Sequence, residues 1–344
     1  MRSLRALATS LVTTLALLSG IFVVTPTATA AAEVRCTDTT LPVFLTLLPQ
    51  AVHGRLCAPV GSSPRTVQLL VHGGTYNSQY WDLPYDSGRY SYQRDMAARG
   101  FATFAIDCLG SGTSSQPLSA LVTGTAQASV IHQVVGKLKA GLVGGTVFQR
   151  VVLVGHSMGS GISVLEAATY RDVDGVIFTG MSHTMDLLAL TGVFVDGVRP
   201  APLDPVLARR GGDPGYLTTM PATRRLFHQP GETEPAVLAA DEATKDQVAT
   251  TVVADLLPLG FMSPLSRNIT VPVLVVNGDR DALFCAFSCA GQSEFLASET
   301  PFFSPDAQLE VRLIPKAGHA VALATTAPIY RTAVAEWLNR RFAG

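Results

Sequence analysis

The chain has 344 residues, of which 47% are hydrophobic and 15% are charged, and its formal net charge is −1 at pH 7. This composition can bury a large core, which excludes a disordered chain, and the balanced charge gives no reason to expect a nucleic-acid partner. The length fits one large α/β domain that carries an insertion.

The first 30 residues have the pattern of a secretory signal peptide. Arg2 and Arg5 precede an apolar run over residues 11–24, and small residues follow. This order predicts cleavage near Ala30 to Ala32 and secretion of the mature protein. The alternative is a transmembrane anchor, but polar residues interrupt the run, which is short for a span of about 20 residues. No later segment is apolar enough to predict a membrane span.

Strand and helix patterns alternate over most of the chain. Nearly continuous apolar runs are typical of parallel strands that are covered on both faces, and helical patterns lie between them. This alternation predicts an α/β fold with a mostly parallel, doubly wound sheet, and residues 41–48 and 52–57 predict an antiparallel pair at one edge. The predicted parallel strands cover residues 67–71, 102–106, 151–154, 176–178, 273–276 and 309–314, and the predicted helices cover 91–99, 126–142, 160–170 and 326–342.

Residues 185–264 interrupt this alternation. The segment has no strand pattern, contains several prolines and has a polar helical stretch around residues 239–257. It lies between two predicted core strands, so it is an insertion that divides the core into residues 31–184 and 265–344. An insertion after the C-terminal end of such a strand projects over the ligand crevice, which predicts a helical lid. The alternative is a surface excursion without a role at the site.

Five cysteines follow the predicted signal peptide, and the odd number leaves at least one unpaired. A bond between Cys36 and Cys57 would tie the mature N-terminus to an early strand, and Cys285 and Cys289 are close enough to pair within a loop. Cys108 follows a buried strand pattern and is the expected free thiol. A metal site needs three or four ligands at a set spacing, and no cluster in the sequence supplies them, so we predict none.

A G-x-S-x-G motif, formed by Gly155, Ser157 and Gly159, follows the strand pattern at residues 151–154 and opens a helical pattern. This is the context of a nucleophile elbow, in which the serine hydroxyl is exposed on a sharp turn. Glycines flank the serine because larger side chains would clash, and the helix N-terminus offers N–H groups to an oxyanion. We predict that Ser157 is a nucleophile; the alternative is a serine in a glycine-rich bend.

A nucleophilic serine needs a base and an acid that orients the base. Asp279 and Asp281 follow a late strand pattern, and His319 follows the last one. The order serine, acid, histidine resembles that of the α/β-hydrolase superfamily. The chain is similar to the secreted bacterial serine esterases and lipases of this superfamily. The similarity covers about residues 65–342, except for the insertion. The resemblance implies the α/β-hydrolase fold, His319 as base and, from a G-x-x-D pattern, Asp281 as acid, with Asp279 the alternative.

The stretch from His72 to Thr75 follows the first predicted parallel strand and resembles the H-G-x motif of the superfamily. The resemblance implies an oxyanion hole made by the N–H groups of Met158 and of Gly74, or of Thr75 if the loop is shifted by one residue. In this motif the histidine shapes the loop by bonding to backbone, and we expect that role for His72 in preference to a role as base.

Other side chains are candidates for contacts with a substrate. Tyr76, Tyr80 and Trp81 would line an aromatic acyl or alcohol pocket, or would instead pack beneath the preceding loop. His183 follows a core strand and would either reach the pocket or be structural. Residues 107–114 resemble a D-x-x-G-x-G-x-S loop of the superfamily and lack the G-K-[ST] of a phosphate-binding loop, so we interpret them as structural.

These patterns together predict a secreted serine hydrolase that cleaves carboxylic esters through an acyl-enzyme, without a cofactor and with a small-molecule or lipid-like substrate. The motifs equally allow a hydrolase of another acyl bond, such as an amide, lactone or thioester, or a cofactor-free perhydrolase, because fold and triad do not fix the substrate. A non-catalytic binding protein with a hydrolase-like fold is a further alternative. Such proteins usually lose a triad member, and all three are present here.

Overall fold

The computed structural model describes residues 32–285 and 288–342. The signal peptide predicted for residues 1–30 lies outside the described residues. Eight strands form the main sheet, in the order β1-β2-β4-β3-β5-β6-β10-β11, and three short ones form a second sheet. The strands are β1 (Val34–Leu45), β2 (Leu48–Pro59), β3 (Thr66–Val71), β4 (Ala102–Ile106), β5 (Arg150–His156), β6 (Gly175–Thr179), β7 (Val198–Pro200), β8 (Tyr216–Thr219), β9 (Val248–Ala249), β10 (Val273–Gly278) and β11 (Glu310–Ile314).

The main sheet is mostly parallel, as predicted. Only the β1–β2 and β2–β4 pairs are antiparallel. Every residue of β3, β4, β6 and β10 is buried, because both faces of these strands are covered. The chain runs outward from β3 to β4 and then returns past β3 to β5. The strand order therefore reverses between β3 and β5, and a crevice for ligands is expected beyond the carboxyl ends of these two strands.

Helices flank the sheet and lie close to their predicted positions in the core. The α3 helix begins where the side chain of Thr123 accepts a hydrogen bond from the N–H of Ala126 at 3.0 Å. In α10, Trp337 and Leu338 are fully buried. The helices are α1 (Ser87–Tyr90), α2 (Tyr92–Ala98), α3 (Gly124–Lys139), α4 (Met158–Tyr170), α5 (Leu187–Val195), α6 (Pro221–Arg225), α7 (Pro235–Ala243), α8 (Thr250–Leu256), α9 (Gln292–Glu299) and α10 (Ala327–Phe342). None of the helices described is both long and apolar enough to cross a membrane.

The antiparallel edge pair is longer than predicted. β1 and β2 span 12 residues each, and Cys36 lies opposite Cys57 in their register. These two cysteines form a disulfide, and Cys285 and Cys289 form a second one. Cys108 is buried and unpaired. Both disulfides and the free thiol therefore stand where the cysteine pattern places them.

The insertion, residues 185–264, is not purely helical. Besides α5 to α8 it contains β7, β8 and β9, which form an antiparallel sheet of three strands. The expectation of no strands here is wrong because these strands have only three, four and two residues, too few for an alternating pattern. The helix expected around residues 239–257 is divided by β9. Between α7 and β9 the backbone N–H of Asp246 bonds to the core at Thr75 O (2.8 Å), and a continuous helix would not allow this contact.

Candidate active site

Ser157 lies on a sharp turn between β5 and α4, at the carboxyl end of a central strand. Its φ is +52° and its ψ −117°, a conformation that residues other than glycine rarely adopt. Its N–H donates to Thr179 O on β6 at 2.8 Å, which holds the turn. A side chain at Gly155 would place its Cβ 2.5 Å from Ser160 N, and one at Gly159 would overlap the carbonyl of Val71. The two glycines therefore allow the close approach of α4 to the sheet.

His319 is paired with a buried carboxylate. Its Nδ1 donates to Asp281 Oδ2 at 2.9 Å, and both side chains are buried. Asp281 Oδ1 accepts the N–H groups of Leu283 (2.9 Å) and Phe284 (3.1 Å), which hold the carboxylate in place. The alternative acid, Asp279, instead accepts the N–H of Lys316 at 2.8 Å and is half-buried. Of the two acids that the sequence offers, the structure joins Asp281 to the histidine.

Ser157 and His319 border one cavity of about 310 Å³. The hydrogen bond of the His319 imidazole is to Asp281, and none joins it to the Ser157 hydroxyl. Aromatic rings pack around the imidazole of His319: the ring centroid of Phe284 lies 5.6 Å away and that of Phe227 5.3 Å away. Ser157, His319 and Asp281 are thus brought together from three separate loops.

His156, inside the elbow motif, lies under His319 with their ring centroids 5.0 Å apart. It is fully buried, its Nδ1 is 3.2 Å from Thr179 Oγ1, and its ring stacks on Tyr80 at 4.2 Å. Burial, together with repulsion from a protonated His319, lowers the pKa of His156 well below its usual range. His156 is therefore a neutral ring that supports His319. No pattern in the sequence points to a role for His156.

The expected oxyanion-hole residues also border the cavity, which Gly74, Thr75 and Met158 line beside Ser157. A Cβ on Gly74 would be 3.7 Å from Met158 Cβ, so the loop after β3 adjoins the start of α4. His72 shapes this loop: its Nδ1 bonds to Gly73 O at 2.8 Å, and its Nε2 accepts the N–H of Cys108 at 3.1 Å. These bonds fix a neutral tautomer, in agreement with burial, which lowers the pKa of His72.

The insertion supplies most of the cavity wall and leaves it apolar. The remainder comes from the core, including Leu283 and Phe284. An apolar wall favours an apolar ligand, because water is displaced from both surfaces. Residues of the insertion that line the cavity include Leu190, Val193, Phe194, Phe227, Leu256 and Phe261.

Four expected substrate contacts are absent from the lining of this cavity. Tyr76, Tyr80 and Trp81 are buried beneath the loop after β3, and Tyr76 and Tyr80 pack edge to face with centroids 4.8 Å apart. His183 donates from Nδ1 to the buried Glu299 at 2.7 Å and stacks on Phe302 at 4.0 Å. All four side chains pack within the protein and none lines the cavity, which is the structural alternative that the sequence left open for each of them. The amino-acid type of these residues does not show whether the side chain faces the cavity or the protein interior.

A buried charged cluster in the insertion holds the loop after β3 from outside. Arg224 donates from Nη2 to Asp241 Oδ1 at 2.8 Å, and His228 donates from Nε2 to Asp241 Oδ2 at 2.9 Å. Arg224 Nη1 reaches Thr75 O at 3.1 Å, and its guanidinium lies 4.2 Å from the ring centroid of Tyr76. No local motif marks this cluster, because its members belong to the segment with the weakest sequence signal.

The loop at residues 107–114 is structural, as interpreted. Asp107 accepts the N–H groups of Ser78 (2.9 Å) and Thr113 (2.8 Å), and its carboxylate is 3.4 Å from His53. Burial by itself would raise the pKa of Asp107. The hydrogen bonds from His53 and from these N–H groups have the larger effect and lower the pKa of Asp107 to about 2. Burial raises the pKa of the Cys108 thiol, which stays protonated.

The strand order, the elbow at its reversal point and the histidine–carboxylate pair define the protein as an α/β hydrolase. Residues 68–332 match the model of the "Alpha/beta hydrolase family". The match spans most of the chain, and the chain belongs to this family. A search of the curated proteins found no match.

Solved structures with the same fold include several hydrolases. A thermophilic esterase from Thermogutta terrifontis is 18% identical, with a TM-score of 0.59, and the match covers 88% of this chain and 98% of that one. A monoglyceride lipase from Saccharomyces cerevisiae is 17% identical, with a TM-score of 0.61, and the match covers 91% of this chain and 97% of that one. An N-acyl homoserine lactonase complexed with N-hexanoyl homoserine lactone is 14% identical, with a TM-score of 0.58, and the match covers 89% of this chain and 99% of that one. At these identities the likeness describes the fold.

Proposed function

We propose that the protein is a secreted serine hydrolase that cleaves carboxylic esters with apolar acyl groups. The observation that carries this proposal is that Ser157, at the elbow, and His319, paired with Asp281, border one apolar cavity. A serine beside an imidazole that a buried carboxylate orients is suited to acyl transfer. Secretion is supported by the pattern of the first 30 residues and by the two disulfides, which persist in oxidising compartments.

The reaction proceeds in two halves. Ser157 Oγ attacks the ester carbonyl while His319 Nε2 takes its proton, and Asp281 stabilises the resulting imidazolium through Nδ1–H. The tetrahedral intermediate then expels the alcohol, which takes the proton from His319, and an acyl-enzyme remains. Water attacks the acyl-enzyme with His319 again as base, and the carboxylic acid leaves Ser157 free.

Backbone N–H groups hold the negative charge that forms on the carbonyl oxygen. One donor is the N–H of Met158 at the start of α4, where the helix dipole is favourable. The second donor is the N–H of Gly74 or of Thr75, both of which border the cavity. Each such donor lowers the activation barrier by about 3 kcal/mol in a preorganised site.

The cavity limits the acyl group. Its volume of about 310 Å³ is at the lower end of the range for ligand pockets, so short and medium chains fit better than long ones. In this proposal the insertion, residues 185–264, acts as the lid, because most of the residues that surround the acyl group belong to it. Closing the site in this way also excludes water from the charged steps.

The test is hydrolysis of p-nitrophenyl acetate, butyrate, hexanoate, octanoate and palmitate by the protein and by Ser157→Ala. We expect the highest kcat/KM between butyrate and octanoate, and loss of nearly all turnover in Ser157→Ala. Ser293→Ala, at an exposed serine, is the matched control and should behave like the wild type. Equal activity of Ser157→Ala and wild type would remove Ser157 from the reaction. A lactone and an anilide with the same acyl group test the other acyl bonds.

A further inference from the structure

A second cluster of polar side chains lies where α3, α4 and the turn after α4 meet. His132 belongs to α3, Glu166 to the C-terminal half of α4, and Asp172 to the turn before β6. One nitrogen or oxygen atom from each residue lies within 4.8 Å of those of the other two. The mechanism proposed above uses none of these residues.

Glu166 is the unusual member of this cluster. Its side chain is completely buried, and within the described part of the chain neither carboxylate oxygen has a hydrogen-bond partner. A buried polar atom without a partner loses its hydration and gains nothing in return, so such atoms are rare in folded proteins. Asp172 Oδ1 is likewise buried and unpartnered among the described residues. Two carboxylates thus direct unsatisfied oxygens into the same small space.

The imidazole of His132 lies at the solvent-exposed side of this space. Its Nδ1 lies 2.7 Å from Asp172 Oδ2, and its ring stacks on Tyr170 with centroids 4.1 Å apart. The His132 side chain is 42% exposed and that of Asp172 24%. The cluster is therefore open to solvent at one side, where an ion and its remaining water ligands have access.

Lys139 lies beside the cluster, and its close contacts are with Asp172 O and Asp174. Lys139 Nζ donates to the backbone oxygen of Asp172 at 2.5 Å and lies 3.5 Å from Asp174 Oδ2. Neither carboxylate oxygen of Glu166 therefore has a protein partner within the described part of the chain.

We propose that His132, Glu166 and Asp172 bind one divalent transition-metal cation, for which Zn²⁺ is the best match. One imidazole nitrogen and two carboxylate oxygens are ligands that Zn²⁺ accepts, and water completes its coordination on the exposed side. Mn²⁺ accepts the same donors, whereas Ca²⁺ and Mg²⁺ prefer sites made of oxygen alone. The cation would satisfy the buried oxygens and join α3, α4 and the turn before β6. This inference does not depend on the proposed ester hydrolysis.

The sequence-based prediction of no metal site is replaced by this proposal. The three residues come from positions 132, 166 and 172, which show none of the close, regular spacing typical of a metal motif. Only the packing of α3 against α4 brings them together.

The experiment titrates Zn²⁺ into EDTA-dialysed protein by calorimetry and follows the midpoint of thermal unfolding. We expect one equivalent of Zn²⁺ to bind and to raise Tm by several degrees. Glu166→Gln should weaken binding about 100-fold and abolish the Tm shift, because it removes a charged ligand while keeping the shape. Asp174→Asn, in the same turn but outside the donor set, is the matched control and should bind within about threefold of the wild type. Ca²⁺ should give no Tm shift at the same concentration.

His132→Gln provides a second, independent variant, since a half-exposed side chain can be replaced without unfolding the chain. Co²⁺ added to the wild type should give visible absorption bands of a nitrogen- and oxygen-ligated ion, and His132→Gln should lose them. The proposal is overturned if the wild type binds no Zn²⁺, or if both Glu166→Gln and His132→Gln bind it as tightly as the wild type. Either result would leave the buried oxygens of Glu166 without a cation.

Discussion

Arg224 and Thr75, 149 residues apart in the sequence, are joined by a hydrogen bond of 3.1 Å from Nη1 to the backbone carbonyl oxygen. The N–H of Asp246 donates to the same oxygen at 2.8 Å. Thr75 has a φ of +61°, a conformation that a β-branched residue holds only when its surroundings enforce it. The insertion thus fixes the backbone of the loop after β3, because both donors to Thr75 O belong to the insertion.

We expect Arg224→Leu to lower kcat about 100-fold with little change in KM, because the loop loses its alignment while the acyl cavity remains. The free energy of unfolding should also fall by about 3–5 kcal/mol, since Asp241 loses its buried partner. The double variant Arg224→Leu/Asp241→Asn separates the two effects. It should regain stability in urea titrations and keep the low kcat; a return to wild-type kcat would limit Arg224 to a structural role.

The two acids after β10 offer a matched pair for the orienting carboxylate. Asp281→Asn should lower kcat about 10³–10⁴-fold, because an amide at this position no longer favours the tautomer and charge that His319 needs. Asp279→Asn should leave kcat unchanged, since an amide oxygen can still accept the N–H of Lys316. Steady-state kinetics on p-nitrophenyl butyrate measures both. A larger loss in Asp279→Asn would reverse the assignment.

Phe261 and Tyr80 test which aromatic residues set acyl preference. Phe261 borders the cavity, so Phe261→Ala should enlarge it and move the best p-nitrophenyl ester toward longer chains, with a loss of about 3 kcal/mol in stability. Tyr80 is buried away from the cavity lining, and Tyr80→Phe should leave the chain-length profile unaltered. A profile that moves in Tyr80→Phe and not in Phe261→Ala would contradict the structure.

Asp107 should contribute to acid sensitivity. Its pKa is lowered from 3.8 to about 2 in the folded protein, so it stabilises the fold above pH 3.8, and this contribution is lost as the pH falls through 2. The contribution is about 2 kcal/mol at neutral pH. Urea unfolding at pH 5 and pH 2 should show a smaller difference between the two pH values in Asp107→Asn than in the wild type. Equal differences would show that Asp107 is not a source of the pH dependence.

The core could be predicted because its signals are local. β3, β4 and β10 are continuous apolar runs since both faces are buried, and the elbow needs glycine at fixed distances from Ser157. Cys36 and Cys57 were expected to pair because such a bond ties the mature N-terminus to an early strand, and they lie opposite each other in β1 and β2. In each case the feature depends on residues within one short segment or on one adjacent pair of strands.

The rest of the site depends on contacts between distant residues. The strands of the insertion are too short to leave a pattern, and the contact of Arg224 with Thr75 exists only after the insertion has packed on the core. The direction of Tyr76, Tyr80 and Trp81 is set by packing around His156, which residue type does not reveal. His132, Glu166 and Asp172 meet only through helix packing.

The insertion both supplies most of the cavity wall and holds the loop at Thr75, and this has a consequence for protein engineering. Under the proposed function, substrate range and turnover number would both depend on this one segment, so grafting the corresponding segment from a relative would alter both together. Libraries that aim only at new substrates should therefore vary cavity residues such as Val193 and Phe194 and keep Arg224, Asp241 and Asp246 constant.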